Sequence, residues 1–379
     1  MRVLIAVTHL LGAGHLSRAL TLARSFDAAG HAVTVVSGGM PVAQFDSAGI
    51  DLWQLPALRS DGVNFTRLLT LDGTVANAAY LAARGQEMVR AVNEVRPDIV
   101  ITELFPFGRR VLRDEFMGML EAAQALAPRP VILASIRDIL APPSKPEKAE
   151  ACAQVIDDFY DGVLVHSDPA STPLEQSWPV TEALASKLRY TGYVAPAPAG
   201  LHPDKAGLGE VLVSAGGGAV GQDLFRAAVA AAGLSQGLNW RILVGGSDPT
   251  AQIEQLQAQA GNANVVIEAA RPDFRQMLYH AAASVSMCGY NTALDLMQAG
   301  TASLFIPFDE GGEVEQTLRA QSLSHMQGMR MCAAVDLTPE RLLREVTDLV
   351  NAPQSPPAEL HFDGANEAVR IATQMVEAR

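Results

Sequence analysis

The chain has 379 residues, 49% hydrophobic and 18% charged, with 28 basic against 41 acidic side chains and a formal charge of −13. That length exceeds one ordinary core and implies two globular domains, while the negative balance excludes phosphate-backbone binding as the main task, so nucleic acid is not an expected partner. Three cysteines, Cys152, Cys288 and Cys332, lie far apart and match no metal spacing; this suits a reducing compartment, and a cytoplasmic location is expected.

The opening MRVLIAVTHLLGAGH reads as strand, turn and helix start rather than as a secretion signal, because its apolar run is brief and His9, Gly12 and Gly14 interrupt it. No apolar run approaches the length of a membrane span. Strand-like runs at 3–7, 33–36, 99–102, 131–134 and 163–165 alternate with helix-like segments at 16–29, 76–95, 109–126 and 147–158. That alternation predicts an α/β architecture of βαβ units with right-handed crossovers and a mostly parallel sheet covered on both faces.

After Tyr193 the chain runs VAPAPAG, poor in core residues and rich in Pro, and reads as a linker. Strand-like runs then restart at 211–214, 241–244, 265–267, 284–287, 304–307 and 332–335, and a second Pro-rich joint at 352–357 precedes an amphipathic segment at 366–377. The expected division is a first domain at 1–193, which the resemblance described below makes the acceptor side, a linker at 194–200 and a ligand-binding domain at 201–350. A joint and helix at 351–379 are expected to pack back on the first domain. Both domains read as Rossmann-like.

Three turns at predicted strand ends can carry chemistry. The first, Gly12-Ala13-Gly14-His15-Leu16-Ser17-Arg18, looks like a dinucleotide fingerprint but has Ser17 in place of the third Gly. The second predicted strand ends in Ser37-Gly38-Gly39 rather than in a ribose-binding acid, which points away from nicotinamide. His15 falls at a helix start, where the positive end of the macrodipole disfavours imidazolium and leaves a neutral base near pH 7. Arg18, one turn later, is an acceptor-side anchor or a solvated charge. Gly14 allows close backbone approach to an anion.

The second turn, Ser214-Ala215-Gly216-Gly217-Gly218-Ala219-Val220-Gly221, offers flexible backbone and free amides to phosphate oxygens. The third feature is a pair, Cys288-Gly289-Tyr290-Asn291-Thr292 and the loop from Asp309 to Gln316. Gly289, Asn291 and Thr292 suit phosphate, Asp295 suits a ribose diol, and Glu315 and Gln316 suit sugar hydroxyls. Glu103 ends a strand in the first half and is an additional candidate base. Arg137 and Asp138, in SIRD, follow a further strand as acceptor-side candidates, and His166 and Asp168, in HSD, follow another with no assigned role; each could equally be a cap or a surface ion pair.

With these residues on the page, the chain resembles GT-B glycosyltransferases. It is most similar in its second half to the MurG-like family, which also includes sugar-nucleotide hydrolases of the PseG type. The resemblance rests on Gly12 to His15, Gly216 to Gly221 and Cys288 to Gln316. The runs THLLGAGHLSRAL, ELFPFGRR, SIRDIL, VLVHSDP and RYTGYVAP also resemble a bacterial group of predicted glycosyltransferases.

The resemblance implies two Rossmann-like domains with parallel sheets facing across a cleft. It places His15 near the reacting centre, the glycines at 216–218 against the donor, and Gly289 to Thr292 and Asp295 on phosphate and ribose. Glu315 and Gln316 fall on the donor sugar, with Glu where MurG-like enzymes tend to carry Gln, so the sugar stays open. The expected activity is transfer from a nucleotide diphosphate sugar, a UDP-sugar first, to an acceptor hydroxyl. The nucleotide-sugar is a co-substrate, and neither cofactor nor metal is expected. A lipid-linked or cell-envelope acceptor, reached by peripheral contact at the inner membrane face, is compatible with such a chain. A hydrolase or epimerase on the same fold, and a noncatalytic nucleotide-sugar-binding subunit, are the alternatives.

Overall fold

Runs of β-branched and aliphatic residues separated by amphipathic segments fold here as two parallel sheets flanked by helices. The computed structural model describes residues 1–10, 13–42, 49–61, 67–216, 220–246, 248–309, 314–352 and 359–379. The chain divides into two compact units. One comprises Met1–Pro169, Pro173–Val194 and Asp363–Arg379, and the other comprises Ala170–Thr172 and Ala195–Phe362.

The first unit runs β1 (Arg2–Val7), α1 (Gly14–Ala28), β2 (Ala32–Gly39), β3 (Asp51–Ser60), β4 (Leu68–Leu69), α2 (Ala78–Val95), β5 (Ile99–Glu103), α3 (Arg113–Gln124), β6 (Val131–Arg137), α4 (Pro146–Phe159), β7 (Gly162–His166), α5 (Glu182–Lys187) and β8 (Leu188–Tyr190). Its strands lie in the order β4-β3-β2-β1-β5-β6-β7-β8, parallel except at the short β3–β4 edge. Strands β1, β5 and β7 are almost wholly buried and read as continuous apolar runs, as a strand covered on both faces should.

Two apolar layers cover that sheet. One contains Met88, Val92, Phe116, Met119 and Val155 from α2, α3 and α4. The other contains Leu16, Leu20, Ala23 and Phe26 of α1 packed with residues of α12 (Gly364–Glu377). Val369 and Ile371 of that helix are more than nine-tenths buried, worth about 1.5–3 kcal/mol each. The C-terminal helix therefore belongs to the first unit's core.

The second unit runs β9 (Glu210–Ser214), α6 (Gln222–Leu234), β10 (Asn239–Val244), α7 (Thr250–Ala260), β11 (Val265–Ala269), α8 (Phe274–Leu278), β12 (Ala283–Ser286), α9 (Tyr290–Ala299), β13 (Ser303–Phe305), α10 (Glu315–Leu323), β14 (Met329–Met331) and α11 (Pro339–Asn351). Its sheet has the order β11-β10-β9-β12-β13-β14 and is parallel throughout. The strand expected at 332–335 is displaced: Met329–Met331 pairs with β13, and Ala334–Asp336 is a single 3-10 turn. The apolar run CAAV has no room for a longer strand, because Thr338 already caps α11 by accepting from the Arg341 amide.

The expected helix at 109–126 is likewise divided. Arg109 sits in the left-handed region at φ 59°, and α3 starts only after a 3-10 turn at Arg110–Leu112. No helix among the described residues is long and apolar enough to cross a membrane.

Candidate active site

In an open parallel sheet the strand order reverses at one point, and the loops leaving the two strands there diverge to form a crevice. In the first unit that point lies between β1 and β5, and in the second between β9 and β12. The residues singled out by sequence fall mainly at these two places.

At the first switch point, Gly14 and His15 open α1, with no acidic residue in its first turn. Glu103 is the last residue of β5 and only 1% exposed. His15 Nδ1 lies 2.8 Å from Glu103 Oε1. Arg18, one helical turn on and also buried, donates to both carboxylate oxygens, with Nε 3.4 Å from Oε2 and Nη2 in close contact with Oε1. Ser135 Oγ donates to Oε2 at 2.7 Å from the neighbouring strand β6, where Ser135 pairs in register with Glu103.

Burial pushes the Glu103 carboxyl up, but the Arg18 charge and the His15 contact more than reverse this and hold it well below the usual carboxylate range. Burial lowers His15, Glu103 raises it, and the net result is a pKa of about 4. The carboxylate is thus ionised and the imidazole neutral near pH 7. An ionised oxygen 2.8 Å from Nδ1 requires the proton between them, so Nδ1–H donates to Glu103. Arg18 Nη2, 3.1 Å from the same nitrogen, then faces it as a second donor and spends its proton on the carboxylate. His15 Nε2 is left as an acceptor with no partner among the described residues.

Arg109 lies in the same neighbourhood, its Nε 2.5 Å from Thr8 O and its guanidinium lowered to about 10 by burial. Leu104 and Arg109 both adopt left-handed backbone, at φ 71° and 59°; non-glycine residues tolerate this only where surrounding structure enforces it. Arg137 ends β6 with Nε on Ile139 O at 3.2 Å, and Asp138 beside it is buried. Gly38 and Gly39 end β2 because Thr8 Oγ1 and the His9 ring occupy the space a Cβ would fill, at 2.2 and 2.4 Å. Their sequence signal was steric.

At the second switch point, the turn after β9 starts with Gly216 at φ 82° and ends with Gly221 at φ 86°, the residue before α6. A Cβ on Gly221 would sit 2.3 Å from the Ala215 Cβ, so the turn closes only with glycine there. Gly217 and Gly218 lie outside the described residues. After β12, Gly289 precedes α9 without a side-chain cap, leaving the first-turn amides of Asn291 and Thr292 without helical partners. Asn291 is exposed and Thr292 half-buried.

Asp295 receives Arg275 Nε on Oδ1 at 2.6 Å, and burial raises its pKa against that pull. Glu315 is the first residue of α10, and Gln316 Oε1 accepts from the Phe308 amide at 3.2 Å. Sequence reasoning missed Arg319, a buried cation that donates to Cys288 O at 2.9 Å and lies 5.7 Å from the Tyr290 ring centre. Nothing in its helical context distinguishes it from a solvated Arg. It adds positive charge beneath the turn that opens α9.

Two comparisons bear on this geometry. The glycosyltransferase family 28 C-terminal domain is matched over residues 212–375. Among solved structures, MurG of Acinetobacter baumannii aligns with a TM-score of 0.66 at 16% identity, covering 99% of this chain and all of that one. The calicheamicin glycosyltransferase CalG4 aligns with a TM-score of 0.62 at 17% identity, covering all of this chain and 94% of that one. Glycosyltransferase VinC, solved in complex with dTDP, aligns with a TM-score of 0.63 at 16% identity over the full length of both chains. No curated protein matches the chain in sequence. Residues 212–375 thus match the glycosyltransferase family 28 C-terminal domain, on a fold shared with MurG and other GT-B glycosyltransferases.

Proposed function

We propose that the chain moves a sugar from a uridine diphosphate donor to an acceptor hydroxyl, with His15 as the general base and without a metal ion. The observation that carries this reading is His15 itself, neutral, tied through Nδ1 to the buried Glu103 carboxylate, with Nε2 unpartnered. As the acceptor oxygen bonds to the anomeric carbon, the bond from that carbon to the diphosphate oxygen breaks and the acceptor proton passes to Nε2. Glu103 then faces an imidazolium 2.8 Å away and stabilises it. In this reading Glu103 orients the base rather than substituting for it.

The leaving diphosphate is held by amides at the starts of α6 and α9, where helix dipoles supply positive potential. Gly216, Gly289, Asn291 and Thr292 serve that role, Asp295 meets the ribose, and Glu315 and Gln316 meet the sugar. Arg18, Arg137 and Asp138 stand on the acceptor side. The dTDP complex of VinC supports a nucleoside diphosphate as the donor class.

The test is thermal-shift screening against UDP, dTDP, GDP and their sugars, followed by turnover of the stabilising donor with and without acceptors in the presence of EDTA. Acceptor-independent release of free sugar at full speed would replace transfer by hydrolysis, and loss of activity in EDTA would refute metal independence.

A further inference from the structure

Glu103 is the near end of a longer buried chain. Ser135 Oγ lies 2.7 Å from Glu103 Oε2 and 3.0 Å from His166 Nε2, and His166 Nδ1 lies 2.8 Å from Thr191 Oγ1. Ser135 and His166 are fully buried and Thr191 is 2% exposed. The proton count fixes the direction. Ser135 has one hydroxyl hydrogen, and the ionised Glu103 oxygen takes it. Ser135 Oγ can then only accept from His166, so the neutral ring carries its proton on Nε2, and Nδ1 faces the Thr191 hydroxyl, whose single hydrogen also has Gly192 O at 2.7 Å and Val165 O at 3.4 Å as acceptors. From His166 onward the bonds run toward the carboxylate.

We propose that His166 and Ser135 form a one-way hydrogen-bond chain that holds the Glu103 carboxylate in place and so fixes His15 with Nε2 free, making Ser135 and His166 positioning residues of the transfer reaction. This rests on the reading of His15 as base. A carboxylate with one oxygen held by Ser135 and Arg18 and the other by His15 and Arg18 has a single orientation.

The charged and titratable groups facing His15 are Glu103 on β5, Arg18 on its own helix and Arg109 in the loop after β5; those facing His166 are Arg18 and Glu103.

The test is 15N NMR of the histidine rings in the full chain. His166 is expected as the Nε2–H tautomer and His15 as the Nδ1–H tautomer; a His166 proton on Nδ1 overturns the proposal. In Ser135→Ala, the carboxylate left with one donor fewer becomes a stronger acceptor, and the His15 titration midpoint is expected to rise by about half a unit or more. His166→Leu should reproduce that rise. His166→Gln, which keeps an N–H donor toward Ser135, should restore the wild-type midpoint. An unchanged midpoint in Ser135→Ala or in His166→Leu refutes the coupling. Should Ser135→Ala fail to fold, the His166 pair and the wild-type tautomers decide. Retained turnover in His15→Ala would sink the base assignment while leaving the chain's direction intact.

Discussion

His15 Nδ1 and Glu103 Oε1 lie 2.8 Å apart although 88 residues separate them in sequence. The first turn of α1 and the last residue of β5 meet because β1 and β5 are adjacent at the point where the strand order reverses. The contact joins a neutral ring to a buried anion already balanced by Arg18. This gives the ring one fixed orientation, and the consequences are measurable.

His15→Ala removes the proposed base and leaves Glu103 paired with Arg18 and Ser135. Turnover is expected to fall by about 10²–10⁴-fold, with the UDP-induced thermal shift unchanged because the proposed UDP site lies in the second unit. Equal losses in turnover and donor affinity would remove the purely chemical role.

Glu103→Gln preserves volume but deletes the charge. Arg18, 7% exposed, then loses its ion partner, a loss of about 3 kcal/mol for a buried pair broken on one side. Denaturant unfolding of the variant should show this together with a fall in turnover. Wild-type stability would mean that Arg18 finds another acceptor.

The parallel sheets and the strand-end turns were legible in the sequence, because buried parallel strands read as apolar runs and turns at their ends need Gly and small polar residues. Glu103 was visible as a strand-end acid, yet its pairing with His15 was not, since that depends on which strands are neighbours. Arg109 and Thr191 carried no local signal. Strand β3 was missed because Pro56 interrupts DLWQLPALRS and its alternation is weak, while β14 was displaced because a capped helix follows closely. Local pattern gives elements; adjacency comes from the fold.

Acid should weaken the first unit before its carboxylates titrate. His15 is lowered to about 4 and His166 to about 3 from 6.5, both chiefly by burial. As pH falls from about 6.5 toward 4 the unfolded chain therefore binds protons that the native chain does not. Stability is lost in that window at up to about 1.4 kcal/mol per pH unit for each group. Below 4.5 Glu103, whose folded pKa is depressed, adds its own loss. Denaturant midpoints between pH 7 and 4 should show the slope, and His166→Gln should reduce it; a flat profile would contradict buried neutral histidines.

Gly221 and Gly216 share positive φ but not surroundings. Gly221→Ala places a Cβ 2.3 Å from that of Ala215, whereas nothing lies within 4 Å of one on Gly216. Gly216→Ala should cost only the backbone penalty of about 1–2 kcal/mol. Gly221→Ala should shift the start of α6 and abolish the UDP-induced rise in melting temperature. Equal effects in the two variants would mean that the turn tolerates rearrangement.

Asp295 separates structural from ligand roles. Its Oδ1 holds Arg275, which also reaches Ala197 O at 2.9 Å and Gln298 Oε1 at 3.1 Å, so the pair ties α8 and α9 to the segment entering the second unit. Asp295→Asn keeps a carbonyl oxygen for Arg275 and should lower stability by only about 1 kcal/mol. It removes the anionic acceptor proposed for the ribose, and a charged hydrogen bond of this kind is worth roughly tenfold in affinity. Calorimetry with UDP should therefore show Kd rising about tenfold with little change in melting temperature. Unchanged UDP affinity would assign Asp295 to Arg275 alone and return the ribose to other acceptors at the start of α9.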